Sequence, residues 1–228
     1  MIGYVLEQEL MNCATAKTFA TLLTQILVDP DDPAFKHPSK PIGPLYNLPD
    51  AETLKRTRQW TMAAEGEHWR RVVASPLPSK ILALAAIQQL SAAGMTVICA
   101  GGGGIPVVKN PDGLLAGVEA VIDKDLASAL LAIELDADAL LLLTDVSAVM
   151  TDFGTPDQRA ICRTGPKKLR DFNFAPGSMG PKVAAAIAMA ERGKRAAIGS
   201  MADAQAIVLG TAGTWVEPDQ TAASIAWW

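Results

Sequence analysis

Three lysines stand where a cation is out of place unless it has a partner or a task. Lys124 lies between two acids in Ile122-Asp123-Lys124-Asp125, ahead of a helix-like run that starts near Leu126. Lys182 closes Pro176-Gly177-Ser178-Met179-Gly180-Pro181-Lys182, which opens an alanine-rich helix. A positive charge in the first turn of a helix opposes the macrodipole, so both call for a carboxylate or a bound anion nearby. For Lys182 the alternative is an exposed surface lysine. Lys40 belongs to Lys40-Pro41-Ile42-Gly43-Pro44, where two prolines and a glycine fix the backbone. That segment reads equally as an ordinary solvated loop. Asp125 suits the N-cap of the helix that follows, and with Asp123 it could orient Lys124 or hold Mg²⁺.

A glycine cradle accompanies the lysines. Gly101, Gly102, Gly103 and Gly104, then Ile105 and Pro106, follow the apolar run Met95 to Ala100. Glycines open conformations closed to other residues and let backbone N–H groups approach an anion. Read instead as a flexible turn, they cost roughly 0.5–1 kcal/mol each relative to alanine. The spacing is not the dinucleotide fingerprint, because Pro106 or Val107 falls where its third glycine belongs, and no GxxxxGK[ST] loop occurs. Leu143-Thr144-Asp145 ends another apolar run, a place for ligand groups or, for Asp145, a simple turn. Lysines, a glycine cradle and paired aspartates, with no Cys–His or Ser–His–Asp set, suit phosphoryl transfer. That chemistry rests on positioning and charge neutralisation.

Alternating apolar runs and helical patterns would position these residues. Strands are expected at 21–28, 95–100, 139–143, 196–199 and 206–209, and helices at 81–93, 126–135 and 182–192. Strands apolar on both faces and separated by helices indicate an α/β protein with a mainly parallel sheet sandwiched by helices. Residues Asp29 to Pro78 break the rhythm. They are polar and proline-rich, carry a charged helical piece at 51–64, and read as a small protruding subdomain inserted in one domain of 1–228.

Composition narrows the class further. The chain has 228 residues, half of them apolar, and a formal charge of −4. Disorder is excluded by that hydrophobicity, and the lack of a basic stripe argues against a nucleic-acid partner. Cys13, Cys99 and Cys162 form no CxxC pair, and His37 and His68 are the two histidines, so zinc is not expected and the thiols read as free and buried. No apolar run spans a membrane and no signal peptide opens the chain, which reads as soluble and cytoplasmic.

The constellation resembles the carbamate kinases of the amino acid kinase superfamily. The matching stretches are QILVDPDDPAF, KPIGP, WRRVVASPLP, CAGGGGIPV, GVEAVIDKDLASALLA, DADALLLLTDV and APGSMGPKVAAA, in family order from Ile2 to about Thr214. The resemblance implies a three-layer α/β/α fold with a protruding subdomain, and reversible phosphoryl transfer between ATP and carbamate. It implies ATP or ADP as substrate with Mg²⁺, and a homodimer binding small molecules alone. Lys40, Lys124 and Lys182 carry over as the family's lysines, with Asp123 and Asp125 orienting them and the metal. Gly102, Gly103 and Gly104, with Ile105 and Pro106, would meet the carbamoyl moiety. Thr144, Asp145, Gly177, Ser178, Met179 and Lys182 would line the nucleotide site.

Two departures stand out. Val149 and Met150 occupy the region where a tyrosine is expected on the adenine side. The family's GGNA-type turn and HGNGPQVG-type segment precede the first matching residue and do not occur here. An exposed sheet edge or apolar cleft is therefore expected, and weak or no turnover by this chain alone. A non-catalytic nucleotide- or anion-binding homologue, or a kinase acting on another small carboxylate, are the other readings. KPIGP argues against the latter.

Overall fold

The computed structural model describes residues 2–13, 16–175, 177–222 and 224–228. It divides into two compact units, residues 1–127 and 128–228.

The first unit opens with helix α1 (Ile2–Cys13), β1 (Phe19–Thr21) and β2 (Gln25–Val28). Next come β3 (Lys40–Tyr46), α2 (Leu48–Arg58), β4 (Met62–Glu65), β5 (His68–Val73) and β6 (Pro78–Ile81). α3 (Leu84–Ala92), β7 (Thr96–Ile98), β8 (Ile105–Lys109) and β9 (Leu115–Gly117) complete it, before α4 (Lys124–Glu134) crosses into the second unit. β1 and β7 pair in parallel, as do β2 and β8, while β6 and β9 add antiparallel edges to the latter pair. The polar stretch expected to stand apart forms an antiparallel sheet of order β3-β5-β4, with α2 between its first two strands in sequence. Ile26, Ile81 and Ile122 are sealed from solvent and anchor this unit's core.

α1 buries none of its residues and leaves Ile2, Tyr4, Val5, Leu6 and Met11 exposed. It touches its surroundings where a Cβ on Gly3 would meet the Thr21 methyl at 2.6 Å.

The second unit is a mixed sheet. β10 (Ala139–Thr144) lies parallel to β13 (Arg195–Ser200), and β12 (Arg159–Thr164) parallel to β14 (Thr214–Val216). β13 and β14 run antiparallel, and β11 (Met150–Thr151) and β15 (Ala226–Trp227) add antiparallel edges to β12. The short α5 (Pro166–Leu169), α6 (Met179–Glu191) and α7 (Ala204–Val208) complete the unit, and α6 packs on β13 and β10. Ala185, Ala186, Met189 and Ala190 of α6 are buried, and the three alanines are small enough for close approach to the sheet. The fold is α/β, as expected.

Several local expectations fail for identifiable reasons. Residues 206–209 are not a strand, because Ala206 to Val208 belong to α7, and a four-residue apolar run cannot by itself separate strand from helix. The helix at 51–64 ends at Arg58, where Gln59 turns left-handed, and 62–65 pairs with β5 as a strand. The helix expected from residue 81 begins at Leu84, since Ile81 pairs with Ile26. The thiols are free but not buried: Cys13 is exposed, and Cys99 and Cys162 are half-buried. Among the described residues no helix is long and apolar enough to cross a membrane.

One hydroxyl ties β14 to β12 and to the loop that enters β11. Thr214, fully buried, accepts from the Val149 N–H at 2.8 Å and donates to the Ile161 carbonyl at 2.5 Å. Thr214→Val keeps the shape and strands both buried backbone groups. It should cost about 1–3 kcal/mol of unfolding free energy in urea titrations.

Candidate active site

The first unit gathers Lys40, Asp123, Lys124, Asp125 and the glycines around one turn. Asp123 precedes α4, and its Oδ1 accepts from the Asp125 N–H at 2.8 Å and the Leu126 N–H at 3.3 Å. The N-cap is therefore Asp123 and not Asp125. The helix begins two residues earlier than the apolar pattern suggests, because Lys124 is already helical. Oδ2 of Asp123 accepts from Lys40 Nζ, which reaches over from β3. Both Asp123 and Asp125 are 6% exposed. Burial alone raises the Asp123 pKa, but the Lys40 hydrogen bond and charge, with the two backbone N–H groups, outweigh it and hold the carboxyl below the ordinary carboxylate value.

The three lysines differ in setting. Lys40 is fixed by its ion pair with the side chain 29% exposed, so the solvated-loop alternative falls. Lys124 is mostly exposed and lies 3.6 Å from Asp125. Lys182, in the first turns of α6, is buried, so the surface-lysine alternative falls as well.

The glycine turn closes on this group. Gly101, Gly103 and Gly104 all have positive φ, as does Ala100 before them. A Cβ on Gly103 would overlap the Ile122 carbonyl oxygen, and one on Gly104 would lie 2.6 Å from Ile26 Cδ1. Gly103 thus lies against the turn that carries Asp123, and Gly104 against Ile26 and the Thr24 carbonyl, so that both positions call for glycine. Ile105 is exposed, and Ile105 and Pro106 begin β8.

A residue absent from the sequence reading holds both ends of the turn. Thr24, 3% exposed, accepts from the Ala100 N–H through Oγ1 at 2.8 Å, and its carbonyl accepts from the Ile105 N–H at 2.8 Å. A lone threonine inside an apolar run gave no signal of this, since its partners lie far along the chain.

The second unit carries the other candidates. Thr144, half-buried, ends β10 beside Ser200 of β13 and donates to the exposed Asp145 at 3.0 Å. Gly177 and Ser178 are exposed ahead of α6; Ser178 occupies its N-cap without a side-chain cap bond. The Ser178 and Gly180 N–H groups donate to the Ala175 carbonyl at 3.2 and 2.9 Å. Met179 begins the helix. Pro176 lies outside the described residues. Val149, where a tyrosine was expected, is sealed in the core.

Residues 14–200 match the model of the amino acid kinase family. The chain is 52% identical over 216 residues to carbamate kinase of Haemophilus influenzae, covering 94% of this chain and 70% of that one. It is 49% identical over 217 residues to carbamate kinase of Escherichia coli, covering 95% and 72%. Carbamate kinase from Giardia lamblia bound to AMP-PNP superposes with a TM-score of 0.85 at 38% identity, over 96% of this chain and 72% of that chain. The chain belongs to the amino acid kinase family and, within it, to the carbamate kinases.

Two outcomes follow from this geometry. Gly103→Ala should lower stability by about 1–3 kcal/mol, the usual cost of enforced backbone strain, in chemical denaturation. The Asp123 carboxyl has a folded pKa below its unfolded value near 3.9, so its contribution is present above that pH and lost as pH falls through the folded pKa. Thermal melts from about pH 6 to pH 2 should therefore show a shallower acid-side decline for Asp123→Asn than for the parent.

Proposed function

We infer that this chain moves a phosphoryl group between carbamoyl phosphate and MgADP, giving carbamate and ATP, and back, at the low rate expected of this chain alone. The observation that carries the reading is the Lys40–Asp123 ion pair, set beside a glycine turn in a chain that is half identical to carbamate kinases. In the forward direction a β-phosphate oxygen of ADP attacks the phosphorus of carbamoyl phosphate. The P–O bond to the carbamoyl group breaks, and carbamate leaves with the electron pair. No covalent protein intermediate is needed, so the protein's work is orientation and neutralisation.

Lys40, aligned by Asp123, supplies positive charge to the phosphate of carbamoyl phosphate. Gly102, Gly103 and Gly104, with Ile105 and Pro106, offer backbone to the carbamoyl moiety. Lys124, positioned by Asp125, adds a second cation. Thr144, Asp145, Gly177, Ser178 and Met179 serve the nucleotide, and Lys182 neutralises charge on the phosphoryl group at that nucleotide. Among the described residues no cluster of three or more His, Cys, Asp or Glu side chains could cage a metal. Asp123 or Asp125 would hold the Mg²⁺ that accompanies the nucleotide, and the ion would supply positive charge to the phosphates. The resemblance also supports a homodimer in the cytoplasm.

The test is ATP formation from carbamoyl phosphate and MgADP, read by a coupled assay. Lys182→Ala should lower kcat by about 10²–10³, the loss seen when one charge-stabilising group is removed. An unchanged kcat overturns the role assigned to Lys182. Binding of ADP by calorimetry with no ATP formed would overturn the reaction itself.

A further inference from the structure

We propose that Arg71, with Glu119 and Trp60, is a positioning device that sets Lys40 against Asp123. The inference rests on the role given to Lys40 above. Arg71 lies on β5, the central strand of the β3-β5-β4 sheet, opposite Ile42 on β3 and Met62 on β4. Two residues further along β5, Val73 pairs with Lys40. Arg71 and Lys40 therefore share one face of the sheet, since neighbours two apart on a strand and directly opposed residues point the same way.

Both cations leave that face for the same short segment. Arg71 Nη2 donates to Glu119 Oε1, and Lys40 Nζ donates to Asp123 Oδ2. Between the two ion pairs runs a backbone tie. Ala74 bridges Ala120 in parallel, and the Val121 N–H donates to the Ala74 carbonyl at 2.9 Å. The sheet is thus fastened to residues 119–123 at three points in a row, with the reactive pair at one end and Arg71 at the other. Trp60 completes the clamp, because the Arg71 guanidinium lies 4.2 Å from its ring centroid. A guanidinium so held presents its fork in one direction, which an ammonium cannot do.

The arrangement needs the clamp. A cavity of about 340 Å³ borders Trp60, Arg71 and Glu119, with Phe35 and Arg58 also on its wall. Close packing does not back the cluster on that side, so the ion pair and the stacking hold the strand end in register. Lys40 has a long flexible stem, and its Nζ meets Asp123 only while β3 keeps its place. A displacement of the sheet by about 1 Å is enough to cost a large factor in rate when the moved group acts on a reacting phosphate.

The test compares the parent with Arg71→Gln, Arg71→Lys and Glu119→Gln in the full chain. The first readout is acetylation of each lysine by a water-soluble active ester, followed peptide by peptide. In Arg71→Gln, Lys40 should react faster while Lys80 and Lys109, on other strands of the same unit, keep their parental rates. The second is steady-state kinetics, where kcat should fall about tenfold with KM for ADP unchanged. Arg71→Lys keeps the charge without the fork and should recover part of both effects. Glu119→Gln leaves Arg71 in place and should shift both in the same direction, so the proposal does not hang on one variant's folding. Parental reactivity of Lys40 in both neutralising variants overturns the proposal. So does a uniform rise at all three lysines, or faster acetylation of Lys40 with kcat unchanged. If the parent makes no ATP, the reaction assignment fails by itself, and the acetylation pattern still decides whether Arg71 places Lys40.

Discussion

A carboxylate 6% exposed must be surrounded by donors or it will not stay ionised. Asp123 meets that demand with Lys40 Nζ and the N–H groups of Asp125 and Leu126. Each donor fixes a different part of the first unit. The two N–H groups fix the start of α4, so the helix dipole and the side chain reinforce one another. Lys40 fixes the end of β3, 83 residues away in sequence. One buried charge thus sets the geometry of a loop, a helix and a sheet, and removing any donor leaves the others facing an undercompensated anion.

The glycine turn is built to the same reference. Gly103 lies against the Ile122 carbonyl, the peptide unit immediately before Asp123, and any side chain there would push the turn off it. Thr24 clamps the two ends of the turn from β2's approach, through Oγ1 and its own carbonyl. The cradle is therefore not a flexible loop waiting to be ordered. Its entropy cost is met by fixed contacts on both sides, which is what pre-organisation for an anion requires.

How far the sequence could be read follows the range of the interactions. Within a short segment, residue type and spacing are enough. Apolar runs placed β10 and β13, the alanine-rich pattern placed α6, and four glycines after an apolar run marked the turn. The α/β class followed from their alternation. Errors arose where a local preference was overruled from outside. Met62 to Glu65 reads as helical by its alanines and glutamate, yet it is held as a strand by Arg70 and Trp69 across β5. Ile81 reads as the first residue of the next helix because its pairing with Ile26 leaves no trace in its own neighbourhood. Thr24 and Arg71 escaped notice for the same reason, their partners lying 76 and 48 residues away.

The lysines show the limit most plainly, because one criterion selected all three and their surroundings separate them. A cation near a helix N-terminus or in a proline-bounded segment is unusual in sequence, and that oddity is the same whether the charge is paired, exposed or buried. Lys40 is paired and half-buried, Lys124 is mostly open to solvent, and Lys182 is buried in α6. These settings demand different things of a reaction. An exposed ammonium is hydrated and screened, and contributes mainly long-range attraction. A buried one acts in a low-dielectric setting and does not reorganise when charge develops. Lys40 lies between these limits, and its usefulness rests on the accuracy with which a strand delivers it. The residues that secure that strand therefore belong to the chemistry as much as the lysine does, although none of them carries a motif.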